Sequence, residues 1–136
     1  MTYKTVSALA VALLLAAAGA SATKPTEPKM MDAKMVHYLP YTKAAYDAAS
    51  GMKRVLFFHA TWCPNCRAAD ADILKKLDEI PADVVIFKTD YDKEVALKKQ
   101  YGITAQHTFV LVDEGGKALK KWAGGKLSTI ISKTQN

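Results

Sequence analysis

The chain has only two cysteines, Cys63 and Cys66, and two residues separate them. They lie in Thr61-Trp62-Cys63-Pro64-Asn65-Cys66-Arg67, after the apolar run Val55-Leu56-Phe57-Phe58 and before a segment with helical periodicity. A C-x-x-C pair at a strand-to-helix junction has two main uses, as a reversible disulfide or as half of a metal site. A structural cross-link is the third reading and the weakest. Cross-linking acts chiefly through loop-closure entropy, and this loop is minimal.

The flanking pattern predicts an α/β domain. Residues 54–60 are β-like and apolar on both parities, which suits a strand covered on both faces. Cys66, Ala69, Ile73, Leu77 and Ile80 then recur at steps of three and four, and Pro81 closes that helix. Pro64 falls in its first turn, where a missing N–H has no helical partner to lose. Upstream, residues 35–39 read as a first strand ended by Pro40, and residues 42–50 as a helix capped by Thr42 and stopped by Gly51. Downstream come a strand at 84–87, a helix capped by Asp92 and ended by Gly102, and a strand at 108–112. A hairpin loop at 113–116 returns residues 117–123 as an antiparallel edge. Gly124-Gly125 precedes a last helix with Leu127, Ile130 and Ile131. The order β-α-β-α-β-α-β-β-α implies a mostly parallel sheet, flanked by helices, with an antiparallel margin.

The first 22 residues read as an address. Lys4 is followed by an apolar run at 6–18 and by Ala20-Ser21-Ala22, the small-x-small form of a cleavage site. The run is shorter than the roughly 18 residues a spanning helix needs. Cleavage after Ala22 leaves 114 of the 136 residues: a leader at 23–34 and one domain at 35–136. The expectation is a periplasmic or secreted monomer with no membrane span after cleavage. Outside the cytosol a dithiol tends toward the oxidised state, so such a protein needs a partner to set its redox state. The formal net charge is +6, but the lysines are scattered and no basic block is interleaved with aromatics. Nucleic-acid binding is therefore not indicated.

Both the element order and the motif Phe58-His59-Ala60-Thr61-Trp62-Cys63-Pro64-Asn65-Cys66, with the later Tyr101-Gly102-Ile103, resemble the thioredoxin family. The resemblance covers roughly residues 36–132. It implies a three-layer fold with a central mixed sheet, and a thiol-disulfide oxidoreductase with no bound cofactor. With the address segment, the chain looks most like the exported, periplasmic members. Two departures stand out. His107 precedes Thr108 where the family carries a cis proline against the reactive sulfurs, where it helps hold substrate backbone. A cis bond before a residue other than proline costs about 3–4 kcal/mol, so a trans peptide and a shifted loop are expected. Phe57 stands where the family buries an aspartate that helps proton transfer. Lys88 aligns with the lysine that accompanies that aspartate, and reads here as a strand-end charge.

In the redox reading Cys63 is the nucleophile, at the exposed tip of a helix whose free N–H groups favour an anion. Cys66, one turn in, resolves the mixed disulfide. Trp62 either forms an apolar rim for a partner or packs as core. Arg67 either supports the thiolate or pairs with Asp70. By the resemblance His107 faces the cysteines. It then tunes Cys63, or completes a Cys63-Cys66-His107 set for copper or zinc, or is a loop histidine without a partner. Pro64, Asn65 and Thr108 complete the expected substrate-binding surroundings. His59 reads as a satisfied, half-buried histidine. Asp70, Asp72, Asp90 and Asp92 read as helix surface and caps. Two functions therefore stand at this stage: a thiol-disulfide oxidoreductase acting on protein thiols and disulfides, and a metal-binding protein or metallochaperone.

Overall fold

The computed structural model describes residues 37–136. The expected signal segment and leader, and the start of the first strand, lie outside the described residues. Five strands, β1 (Tyr38–Pro40), β2 (Lys53–His59), β3 (Val84–Asp90), β4 (Thr108–Val112) and β5 (Ala118–Ala123), form one sheet in the order β1-β3-β2-β4-β5. Four helices connect and cover them: α1 (Lys43–Ala48), α2 (Pro64–Lys75), α3 (Val95–Tyr101) and α4 (Leu127–Gln135).

The double-sided apolar pattern of β2 has a direct structural cause. Val55 and Phe57 point into one core, with Ile86, Phe109, Ala69, Ile73, Leu127 and Ile130. Leu56 and Phe58 point into the other, with Val85, Phe87, Val110, Tyr101 and Ile103. Each fully buried Phe, Leu or Ile of this central strand layer contributes about 1.5–3 kcal/mol of transfer free energy. The strand is thereby held firmly on both faces, and its C-terminal end gives the cysteine loop a rigid base.

The sheet is mixed, as the resemblance implied, but the antiparallel part is wider than a margin. β1 and β2 run parallel to β3, whereas β4 is antiparallel to central β2 as well as to β5. Two helix boundaries and one strand end also differ from the sequence reading. The α2 helix ends at Lys75, and Leu77–Glu79 form a separate 3-10 turn. Pro81 disfavours a helical conformation at Ile80, which is extended at φ −70°, ψ 123°. Glu94, not Asp92, occupies the N-cap of α3. Asp90 makes the preceding turn, its Oδ1 accepting from the N–H groups of Asp92 and Lys93 at 3.0 and 3.1 Å. Pro40 is the last residue of β1 rather than a stop before it. Thr42 caps α1 as expected, and Gly102 closes α3 in the left-handed conformation at φ 62°.

Arg54 is buried inside β2 with no carboxylate in bonding range among the described residues. Its Nη1 donates to Tyr46 O at 3.1 Å, and Nη2 to Asp113 O and Glu114 O at 2.6 and 2.8 Å. The guanidinium lies 4.1 Å from the Tyr46 ring centre. It therefore ties the end of α1 and the β4–β5 turn to the central strand. Arg54→Ala strands buried carbonyls and is expected to cost at least about 2 kcal/mol, read as a lower denaturant midpoint.

Candidate active site

The C-terminal end of β2, the start of α2 and the loop before β4 meet around the two sulfurs. Cys63 is the N-cap of α2, extended at φ −87°, ψ 116°, and Pro64 is the first helical residue. The Cys66 N–H donates to Cys63 Sγ at 3.3 Å. A thiolate here takes the place of the usual oxygen cap at the positive end of the helix dipole. Both cysteines are free thiols.

Cys63 was expected at an exposed tip, and the structure corrects this. Folding back to cap the helix leaves it only 4% exposed, between the exposed Trp62, Pro64 and Asn65. Cys66 is 0% exposed, behind it. The two thiols are electrostatically distinct. Burial works against a charge on Cys63, but hydrogen bonds from the Cys66 thiol, from the Cys66 and Asn65 backbone and from Gln106 outweigh it and lower its pKa. Burial pushes Cys66 up to about 11, and the neighbouring Cys63 adds to the rise. The outer sulfur is the one that ionises first as pH rises, and the inner one holds its proton longer. Alkylation by iodoacetamide should accordingly rise with pH through a first inflection below the ordinary thiol value of about 8.5. A second inflection is expected near 11, from Cys66. Cys66→Ser should remove the upper step; a single inflection at the free-thiol value would contradict the assignment.

Trp62 stands on the surface at 56% exposure rather than in the core. Its Nε1 donates to Asp92 Oδ2 at 3.0 Å and its ring meets the edge of Tyr91, so the indole is held upright beside Cys63. This explains why Asp92 does not cap α3.

His107 lies in the loop before β4 with φ 57°, a left-handed conformation that costs a non-glycine residue roughly 1–2 kcal/mol. The peptide before it is trans. Three hydrogen bonds hold the conformation: His107 N–H to Phe58 O at 2.9 Å, Gly124 N–H to His107 O at 2.8 Å, and Nε2 with Gly125 O at 2.9 Å. The ring packs against Phe57 and Phe109. The backbone of His107 reaches Cys66 and favours its thiolate, while the ring is committed to Gly125 and the two phenylalanines. No three His, Cys, Asp or Glu side chains come together as a metal-ligating group among the described residues, so Cys63, Cys66 and His107 do not form the alternative copper or zinc set. Thr108 follows as the first residue of β4, its hydroxyl donating to Ala105 O at 2.8 Å.

Four polar residues behave differently from the sequence reading. Asp70 turns inward instead of pairing with Arg67 on the helix surface. It accepts from Tyr38 Oη at 2.5 Å and from Lys88 Nζ at 2.9 Å. Lys88 is therefore an ion-pair partner and not an isolated strand-end charge. His59 is 6% exposed and its buried Nε2 has no hydrogen-bond partner among the described residues. Burial, aided by the Lys88 charge, lowers its pKa and keeps the imidazole neutral. The i+4 spacing of Cys66 and Asp70 was visible in the sequence. The partner strands that draw Asp70 inward were not. Asp72 also leaves the surface role: its Oδ2 accepts from the Leu127 N–H at 3.1 Å and supplies the cap that Lys126 cannot give α4.

A dithiol at a helix N-terminus, on a five-stranded mixed sheet between two helical layers, defines the class of protein. A family model described as Thioredoxin matches residues 38–136. The chain belongs to the thioredoxin family. It is 37% identical over 79 residues to a thioredoxin H-type of Brassica campestris, covering 58% of this chain and 63% of that one. It is 35% identical over 99 residues to thioredoxin-2 of Pyricularia oryzae, covering 71% and 57% respectively. The chain thus spans less than two thirds of the length of these relatives. Among solved structures it is similar to spinach chloroplast thioredoxin f, with TM-score 0.63 and 25% identity over 77% of this chain and 96% of that one. Trxlp of Edwardsiella tarda gives TM-score 0.58 and 26% identity over 71% and 96%.

Proposed function

We propose that the protein is a thiol-disulfide oxidoreductase that exchanges the Cys63-Cys66 pair with disulfides or thiols of protein substrates. The observation that carries this reading is the asymmetry of the two sulfurs, one lowered at a helix cap and one buried and protonated. Cys63 thiolate attacks a substrate disulfide and forms a mixed disulfide. Cys66 then attacks Cys63, closes the intramolecular bond and releases the reduced substrate; the reverse sequence oxidises a dithiol. No bound cofactor is needed, because the sulfurs carry both electrons. Trp62, Pro64, Asn65, His107 and Thr108 form the surroundings that a substrate backbone meets. The signal-like residues 1–22 support export to the periplasm or beyond and cleavage after Ala22, followed by action as a monomer recharged by a redox partner. Among the described residues no helix is long and apolar enough to cross a membrane.

The test is catalysed reduction of insulin disulfides by the purified 23–136 chain with dithiothreitol, together with equilibration of the pair against glutathione. Acceleration over dithiothreitol alone is the expected result. No exchange in either direction would overturn the proposal.

A further inference from the structure

The end of the sheet away from the sulfurs holds a second cavity. Arg54 is the second residue of β2, whereas the cysteine loop follows the last, His59, roughly 16 Å along the strand at about 3.3 Å per residue. A space of about 280 Å³ opens there between α1, α3 and the β4–β5 turn, lined by Tyr41, Tyr46, Arg54, Leu97, Tyr101 and Gly116. Arg54 is 2% exposed, and its Nη1 and Nη2 donate to three main-chain carbonyls, but its Nε has no partner among the described residues. The buried Tyr46 hydroxyl has none among them either. It faces Gly116, where an added Cβ would come within 3.3 Å of it. The Tyr101 hydroxyl stands close by, yet its own proton goes to Gly116 O at 2.6 Å and the two tyrosines make no hydrogen bond. Buried donors are as a rule paired, and buried charges above all. Two orphaned donors, one of them on a guanidinium, thus belong to the wall of one open space.

We propose that this cavity binds a small single-ring monocarboxylate, whose carboxylate accepts from Arg54 Nε and Tyr46 Oη. Its two oxygens answer the two orphaned donors, and its negative charge offsets the buried guanidinium. The ring suits the rest of the lining. Tyr41 and Tyr46 pack with ring centres 5.8 Å apart and are backed by Phe87, and Leu97 lines the α3 side. The guanidinium already lies 4.1 Å from the Tyr46 ring centre, so a ligand cation finds that place taken. The volume lies near the lower bound of small-molecule sites, roughly 300 Å³, and suits one ring rather than a nucleotide. Charge at the mouth narrows the class further. Lys43 is paired with Asp47 at 2.6 Å, and the exposed Glu114 lines the same space. A dianion such as phosphate meets that acid with two charges. A monocarboxylate brings only the one that Arg54 offsets. The site is independent of the dithiol, and stands whichever way exchange at Cys63 runs.

The test is a titration of the isotope-labelled protein with benzoate at neutral pH and constant ionic strength, followed by backbone amide resonances. Saturable shifts are expected at residues 41–47, 97–101 and 114–116, with the signals around Cys63 unmoved. Benzamide has the same shape without the charge and should bind at least about tenfold more weakly, the scale of a lost charge-assisted hydrogen bond. Inorganic phosphate should give no saturable shift there. Tyr46→Phe removes only the orphaned hydroxyl and should weaken benzoate about fivefold, with the spectrum otherwise that of the folded wild type. No saturable shift with benzoate would overturn the proposal. Equal binding of benzamide would do the same, since it marks an apolar cleft only, and so would equal binding of phosphate, which marks a general anion site. Wild-type benzoate affinity in Tyr46→Phe would take the hydroxyl out of the site and overturn the two-donor assignment.

Discussion

Cys63→Ser is expected to lower the rate of disulfide exchange by at least about a thousandfold. The reason is chemical rather than structural. Serine keeps an oxygen able to accept the Cys66 N–H and so keeps the helix cap. The hydroxyl, however, stays protonated at neutral pH and cannot attack a disulfide sulfur. Removing a nucleophile that acts covalently leaves only binding contributions, and losses of about a thousandfold or more are the norm. Cys66→Ser gives a different outcome. The first attack still occurs, and the enzyme stalls as a mixed disulfide through Cys63 that a non-reducing gel displays. If Cys63→Ser retained exchange and Cys66→Ser lost it without trapping substrate, the roles of the two sulfurs would be reversed.

Phe57→Ala is expected to have the largest effect on stability, about 3–5 kcal/mol. Phe57 is fully buried in the central strand and stacks on Phe109, with ring centres 4.5 Å apart and planes at 12°. Phe109 stacks in turn on Trp122 at 5.5 Å. The removed ring leaves a cavity that β2 cannot close, because pairing on both sides holds it in register with β3 and β4. The His107 loop leans on the same ring, so the left-handed conformation at His107 loses support as well. Urea denaturation should show a lower midpoint at unchanged slope. A loss under about 1 kcal/mol would mean that the stack is dispensable and that the neighbouring side chains fill the space.

Much of the fold was legible because local patterns and tertiary packing agree. The double apolar parity of β2, the Thr42 cap, the Gly102 stop and the two-glycine break before α4 each express a local requirement that no distant contact overrides. The errors fall where a distant group took a residue that a local rule had claimed. Asp92 is drawn to Trp62 and gives up the cap of α3. Asp70 is drawn inward by Lys88 and Tyr38 and gives up the helix surface. His107, expected beside the sulfurs, meets Cys66 through its backbone, while its ring bonds Gly125 and packs on two phenylalanines.

From its residues alone the chain determined its element order, its pair of sulfurs at a helix start and the apolar faces that layer the helices on the sheet. Spacing and side-chain type suffice for these, since both act over a few residues. The tertiary structure decided how deeply each sulfur is buried, the strand directions on the β4 side and the company kept by Asp70, Lys88 and His59. Burial and hydrogen-bond supply from separate elements set those properties, and neither exists until the sheet has brought β1, β2, β3 and α2 together.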